Sequence, residues 1–176
     1  GEIGGAAALK RFVDFAVWVS VTLRARGVCR YHLLGHSMGG MIVQEVARRD
    51  PDAIERLILY GTGPTGTIPG RFETMAESKR RAAEDGARAT ARRISATWLL
   101  AREASPHYGA VAALAERAEL PAIEAGLDAM AHWDGKAGLS EIKQPTLVIW
   151  GEADRSYGWP QVEALWRGIP ETSLCV

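Results

Sequence analysis

The sequence predicts an α/β fold in which a mostly parallel sheet is flanked by helices. Two observations support this prediction. Residues 31–34 form a short apolar run that passes through a Gly-Ser-Gly turn into a helical pattern at 40–47. Residues 145–151 form a near-continuous apolar run with β-branched residues in its middle, as expected for a parallel strand buried on both faces.

The other elements follow in order along the chain. Residues 12–23 are apolar at helical spacing, which predicts a helix that packs on the sheet and is too short to span a bilayer. The Asp50-Pro51 pair predicts the end of the helix after the turn, because proline disfavours helical backbone in the residue before it. A second strand is predicted over 56–60, and the glycines and proline of 61–66 predict a loop.

The chain divides into three segments. Residues 1–65 and 139–176 carry the strand signals, whereas residues 66–138 carry none and are predicted to be helical. The middle segment mixes arginines with acidic residues. An anionic substrate site is one interpretation, but the mixed signs favour a solvated helix face. The arginines concerned are Arg80, Arg81, Arg88, Arg92 and Arg93.

The turn at residues 35–39 predicts a nucleophile. It places Ser37 between Gly35 and Gly39 where a strand becomes a helix. Such a turn strains the serine backbone, and we expect a side chain at either glycine to collide with the neighbouring strand and helix. Ser37 Oγ is then exposed at the strand end, and the following N–H groups, that of Met38 first, point to where an oxyanion would form. An ordinary strand–turn–helix is the alternative.

A candidate acid follows the apolar run at 145–151. In open α/β sheets, catalytic groups collect beyond the carboxyl ends of the strands. Asp154 lies just past that end, and we expect it to share an edge of the sheet with Ser37. Asp154 could instead cap the end of the strand, in which case Glu152 would be the acid.

These motifs resemble the α/β-hydrolase superfamily, and more closely its bacterial capped serine hydrolases: esterases, lactonases, haloperoxidase-like enzymes and C–C bond hydrolases. The resemblance rests on residues 35–40, 50–59 and 145–154 and covers nearly the whole chain. It implies a helical cap at 66–138 and the chain order serine, acid, histidine. It also implies hydrolysis through an acyl-enzyme without metal or organic cofactor. The motifs specify the fold and leave the substrate open.

Parts of the family pattern have no match in the sequence. The resemblance implies strands before the turn, a loop among them that supplies a second oxyanion donor, and a catalytic histidine after the last strand. None of these has a counterpart between Gly1 and Val176. We therefore expect an internal piece of a larger hydrolase, with its histidine beyond Val176, and we expect the 176 residues alone to be inactive.

The four histidines of the chain are the other candidates for the base. His32 and His36 are predicted to be core or near-core residues with satisfied hydrogen bonds, and their spacing across a strand and a turn predicts no metal pair. His107 and His132 fall in the middle segment, where His132 is an alternative base.

Three side chains are candidate substrate contacts: His36, Met130 and Trp133. Tyr108 is a further candidate for the roof of a pocket. For Met130, Trp133 and Tyr108, packing in the core is the alternative. Trp98, Leu99 and Leu100 are predicted to pack inward.

The composition is that of an ordinary globular domain, with 47% hydrophobic and 24% charged residues and a net charge of zero. It gives no indication of a nucleic acid or membrane partner and leaves a homo-oligomer open. Cys29 and Cys175 are predicted to be small buried residues in a reducing, cytoplasmic compartment.

The predicted function is hydrolysis of a small, largely apolar ester or lactone. C–C bond hydrolysis of a dienoic ring-cleavage product is the alternative within enzymes, because the same turn and triad serve both reactions. A non-catalytic hydrolase-fold fragment is the alternative outside them.

Overall fold

The computed structural model describes residues 9–70 and 73–176. Within these residues the sheet contains four strands, which lie side by side in chain order and are all parallel. They are β1 (Tyr31–His36), β2 (Ile54–Tyr60), β3 (Thr146–Ile149) and β4 (Thr172–Cys175). The predicted α/β class is confirmed. The glycine-rich start at residues 1–5 lies outside the described residues.

Seven α-helices accompany these strands in the described part of the chain. They are α1 (Phe12–Ala25), α2 (Met38–Arg49), α3 (Met75–Asp85), α4 (Ala87–Thr97), α5 (Tyr108–Ala115), α6 (Leu120–Ala131) and α7 (Trp159–Gly168). Helices α2 and α7 connect neighbouring parallel strands, which require such crossovers. Within residues 9–70 and 73–176, no helix is long and apolar enough to cross a membrane.

Helices α3 to α6 occupy the connection between β2 and β3. Its two ends run together where they leave the sheet: Thr65 pairs with Asp134 in an antiparallel bridge, and the Gly66 N–H donates to the Trp133 carbonyl at 3.0 Å. All five arginines named above form ion pairs with acidic residues of this segment. The prediction of a solvated helix face with mixed charges is confirmed for Arg80, Arg88 and Arg92, which are exposed. It is wrong for Arg93, which is largely buried against Glu73.

The main core lies between the sheet and the helices α1, α2 and α7. Leu57 and Leu59 of β2 and Val148 of β3 share one face of the sheet and are at most 1% exposed. Leu147 and Ile149, on the other face of β3, are only half-buried, so the prediction that this strand is buried on both faces is wrong. Helix α2 ends at Arg49, one residue before Asp50-Pro51, as predicted. This packing fixes the end of β1, and with it the turn that carries Ser37.

The predictions that His32 and the two cysteines are buried are wrong. His32 is exposed on β1, with its Nε2 3.6 Å from a Glu55 carboxylate oxygen, and Cys29 and Cys175 are both exposed free thiols. The reason is the place of these residues in the sheet. β1 and β4 are the outer strands among the described residues, so alternate side chains on and beside them meet solvent.

Candidate active site

Ser37 lies in the turn between β1 and α2 and has a strained backbone conformation. Its φ of 51° and ψ of −123° lie in a region that residues with a side chain rarely adopt. The N–H group is shared between the carbonyls of Tyr60 at 3.1 Å and Gly61 at 3.2 Å. The Ser37 carbonyl accepts from the Gly40 N–H at 2.9 Å and from the Thr62 hydroxyl at 2.7 Å. These hydrogen bonds hold the strained residue between β1, β2 and α2.

Two glycines allow this turn to pack, but they are not the pair that was predicted. A Cβ atom on Gly35 would lie 2.5 Å from the Gly39 carbonyl oxygen and from Val43 Cγ2, as expected. A Cβ atom on Gly39 would meet nothing within 4 Å outside its own helical turn, so the prediction of a collision at Gly39 is wrong. The close approach falls at Gly40, where an added Cβ would overlap the Thr62 side chain.

Ser37 opens into a cavity of about 250 Å³ at the carboxyl ends of β1, β2 and β3. One side of the cavity comes from the helical connection, at residues 97–100, and the opposite side from the loop after β3, at residues 151–157. Trp98 is 50% exposed and Leu100 is 64% exposed, so the prediction that they pack inward is wrong for both. Their apolar side chains line the cavity instead.

Asp154 faces the same cavity. Its Oδ1 accepts hydrogen bonds from the N–H groups of Ser156 at 2.7 Å and Tyr157 at 3.0 Å. Its Oδ2 would lie 3.6 Å from a Cβ atom placed on Gly61. Asp154 therefore does cap the turn after β3, and its Oδ2 lies close to Gly61, which also lines the cavity. Glu152 is exposed and does not line the cavity.

His36 lines the cavity beside Ser37. Its ring packs against the Tyr60 ring with 5.0 Å between the centroids. His36 is nevertheless exposed, so the prediction of a core or near-core histidine is wrong. Partial burial lowers the pKa of His36 below its ordinary value, while the charge of Asp154 acts in the opposite direction. Burial therefore favours the neutral imidazole.

Tyr157 is a site residue that the sequence pattern did not indicate. Its hydroxyl lies 3.2 Å from Ser37 Oγ, and its side chain is only 2% exposed. The two residues are 120 positions apart in the chain, so no local motif links them. The contact arises because the loop after β3 turns back over the end of β1.

The other predicted site residues lie elsewhere. Met130 is buried in an apolar cluster with Phe12. The Trp133 Nε1 donates to a Glu45 carboxylate oxygen at 3.0 Å, and Trp133 lines a second cavity together with His132. None of Met130, Trp133 and His132 lines the Ser37 cavity.

Within the described residues, no histidine is hydrogen-bonded to Ser37 and no metal site is found. His132 Nδ1 donates to the Asp128 carbonyl at 2.8 Å, and His107 is exposed. No histidine within residues 9–70 and 73–176 hydrogen-bonds to Ser37 Oγ. The same residues contain no group of three or more His, Cys, Asp and Glu side chains that could hold a metal ion.

Comparison with known proteins gives concordant matches. A family model described as "alpha/beta hydrolase fold" matches residues 6–176. The chain is 30% identical over 154 residues to the pimeloyl-[acyl-carrier protein] methyl ester esterase of Aromatoleum aromaticum, which covers 80% of this chain and 62% of that protein. It is 27% identical over 149 residues to the 2-hydroxy-6-oxo-6-phenylhexa-2,4-dienoate hydrolase of Comamonas testosteroni, covering 74% of this chain and 49% of that protein.

Among solved structures, the enol-lactonase from Burkholderia xenovorans LB400 superposes with a TM-score of 0.86 at 21% identity. The match covers 99% of this chain and 67% of that chain, and it shows a shared fold. The chain spans about half to two thirds of the length of the relatives that it matches.

Proposed function

We propose that this chain, which belongs to the α/β-hydrolase family, carries the nucleophile and the acid of a serine hydrolase that cleaves a small, largely apolar carboxylic ester or lactone. The proposal rests on the position of Ser37. It is held in a strained turn at the start of a helix, and its hydroxyl opens into a cavity that Asp154 also lines.

The proposed reaction follows from this placement. Ser37 Oγ attacks the carbonyl carbon of the substrate, and its proton passes to a histidine supplied from outside residues 1–176. The Met38 N–H, in the first turn of α2, donates to the oxyanion. The C–O bond breaks and the alcohol leaves with the proton from the histidine. Water then releases the acid and restores Ser37.

Asp154 is proposed as the acid that orients this histidine. Its Oδ1 is fixed by two backbone N–H groups, so Oδ2 keeps one direction, toward the cavity floor beside Gly61. A fixed carboxylate can hold an imidazole in one tautomer and stabilise the imidazolium that forms. Glu152 lies outside the cavity, which favours Asp154 of the two.

The proposed substrate class follows from the size and lining of the cavity. A volume of about 250 Å³ suits a small acyl group. Trp98, Leu99 and Leu100 supply an apolar side, and we propose that residues 66–138, which carry them, act as a cap. His36 lines the cavity and is a proposed substrate contact. Met130 and Trp133 lie outside this cavity and are no longer proposed to contact the substrate.

C–C bond hydrolysis is the second candidate. It is favoured by the similarity to the Comamonas testosteroni protein, whose name describes the hydrolysis of a phenylhexadienoate. Ser37 and Asp154 would keep their places in that reaction, so the substrate alone separates the two candidates.

The test is a substrate panel on the full-length gene product. We expect turnover of short alkyl esters or small lactones that Ser37→Ala abolishes. Turnover confined to a 2-hydroxy-6-oxodienoate would select the second candidate. Turnover that survives Ser37→Ala would contradict both.

A further inference from the structure

We propose that Tyr157 is a catalytic residue whose hydroxyl donates a hydrogen bond to the leaving-group oxygen of the tetrahedral intermediate on Ser37. The proposal rests on the serine hydrolysis described above and adds to it a residue that no local motif indicates.

The distance places the Tyr157 hydroxyl at the reacting atoms. It lies 3.2 Å from Ser37 Oγ, which is longer than the usual O–H···O hydrogen bond of about 2.7–2.8 Å. The two hydroxyls therefore interact weakly before substrate binds. When Ser37 attacks, its Oγ forms a bond to the carbonyl carbon of the substrate. The other two oxygens on that carbon then lie one bond angle away from Oγ, within reach of the Tyr157 hydroxyl. A hydrogen bond that strengthens only at that stage lowers the barrier.

The side chain is held rigidly, as preorganised stabilisation requires. The Tyr157 ring is 2% exposed and packs in a cluster with Phe12, Met41 and Met130. The Tyr157 carbonyl accepts from Trp150 Nε1 at 2.7 Å, and the Tyr157 N–H donates to Asp154 Oδ1 at 3.0 Å. The hydroxyl therefore cannot move away from Ser37 without disturbing the main chain beside Asp154.

The side of approach selects the leaving-group oxygen. The oxyanion faces the start of α2, where the Met38 N–H lies. Tyr157 comes from the loop after β3, and its backbone N–H donates to Asp154 Oδ1, so Tyr157 belongs to the same loop as the proposed partner of the base. Because that base gives its proton to the leaving oxygen, this oxygen faces the Asp154 side of Ser37. In this role the Tyr157 hydroxyl donates a hydrogen bond and keeps its proton.

The experiment compares two leaving groups in Tyr157→Phe, which removes the hydroxyl and keeps the buried ring. An alkyl alcohol is a poor leaving group and needs stabilisation, whereas p-nitrophenolate needs little. We measure kcat/KM, which reports acylation alone. For an ethyl ester we expect a loss on the order of 100-fold. For the p-nitrophenyl ester of the same acid we expect a change within about threefold.

A control variant and a strengthened donor complete the test. Tyr31→Phe removes a tyrosine hydroxyl at the opposite end of β1 and should change neither kcat/KM by more than about twofold. 3-Fluorotyrosine at position 157 keeps the shape and makes the phenol a stronger donor. It should therefore raise kcat/KM for the ethyl ester relative to the p-nitrophenyl ester, a result that does not depend on the stability of Tyr157→Phe.

The outcomes separate this inference from the function on which it rests. Three results for Tyr157→Phe would overturn the role of Tyr157 while leaving Ser37 as the nucleophile. They are an equal loss of kcat/KM for the two esters, an unchanged kcat/KM for both, and a rise in KM without a change in kcat. A wild-type protein without Ser37-dependent turnover of either ester would contradict the proposed function first, and the role of Tyr157 with it.

Discussion

The Thr62 hydroxyl donates a 2.7 Å hydrogen bond to the carbonyl of Ser37, and the Thr62 side chain fills the space beside the Cα atom of Gly40. Thr62 is 2% exposed and lies two residues beyond the end of β2. The end of one strand thus braces the strained turn at the end of its neighbour. The bracing accounts for how Ser37 keeps a conformation that a side chain disfavours.

Thr62→Val should weaken this brace without changing its volume. The Ser37 carbonyl loses one of its two donors and keeps the Gly40 N–H, so we expect the free energy of unfolding to fall by about 0.5–1.5 kcal/mol and the turnover of an ester substrate to fall with it. Urea unfolding and steady-state kinetics provide the measurements. Thr62→Ser is the matched control, because it keeps the hydroxyl and should retain most of the turnover. Equal turnover in Thr62→Val and wild type would show that the hydrogen bond is dispensable.

Alanine substitutions at two adjacent glycines should have opposite effects. A Cβ atom on Gly40 overlaps Thr62, so Gly40→Ala should lower the free energy of unfolding by about 1–3 kcal/mol. Gly39 lies in α2 with open space at its Cβ position, so Gly39→Ala should be neutral or stabilise by up to about 1 kcal/mol. Urea unfolding of both variants checks the pair, and similar destabilisation of the two would contradict the packing described for this turn.

Asp154→Asn should separate the structural and catalytic roles of that residue. The amide oxygen of asparagine can still accept from the N–H groups of Ser156 and Tyr157, so the thermal midpoint of unfolding should stay near that of wild type. The charge that stabilises an imidazolium is lost, and kcat should fall by a factor on the order of 10⁴. Glu152→Gln is the matched control and should leave kcat unchanged. If Asp154→Asn keeps kcat within a few-fold and Glu152→Gln does not, Glu152 is the acid.

The pH dependence of stability should carry a contribution from His36. Burial lowers the pKa of His36 in the folded protein, so below the ordinary value of about 6.5 the unfolded chain binds a proton that the native state does not. The contribution of His36 to the free energy of unfolding is therefore fully present above that pH. It is lost as the pH drops from the pKa of the unfolded state toward the pKa of the folded state. We expect the loss between about pH 7.5 and 5 to be smaller in His36→Gln. An equal loss in both proteins would place the titrating group elsewhere.

Local patterns predicted the elements well. The strand–turn–helix around Ser37, the end of α2 before Pro51 and the strand before Asp154 all depend on neighbouring residues in the chain. The failures concern contacts between distant segments. Nothing near Tyr157 in the sequence indicates that its hydroxyl meets Ser37, and nothing near Thr62 indicates that it fits against Gly40.

Burial was predicted less well, for a related reason. The hydrophobic pattern of a strand does not say whether it lies inside the sheet or at an outer position, so His32 was expected to be buried and is exposed. An apolar side chain can also line a cavity instead of packing in a core, as Trp98 and Leu100 do. Both distinctions depend on the neighbours that the fold supplies, which a single sequence does not display.

Covalent labelling of the full-length gene product tests the central claim, that Ser37 is the nucleophile, most directly. A fluorophosphonate probe forms a bond to an activated serine oxygen as fluoride leaves, and peptide mass spectrometry locates the adduct. We expect the adduct on Ser37, with no labelling in Ser37→Ala under the same conditions. An adduct on another residue, or labelling of Ser37→Ala equal to that of wild type, would contradict the account.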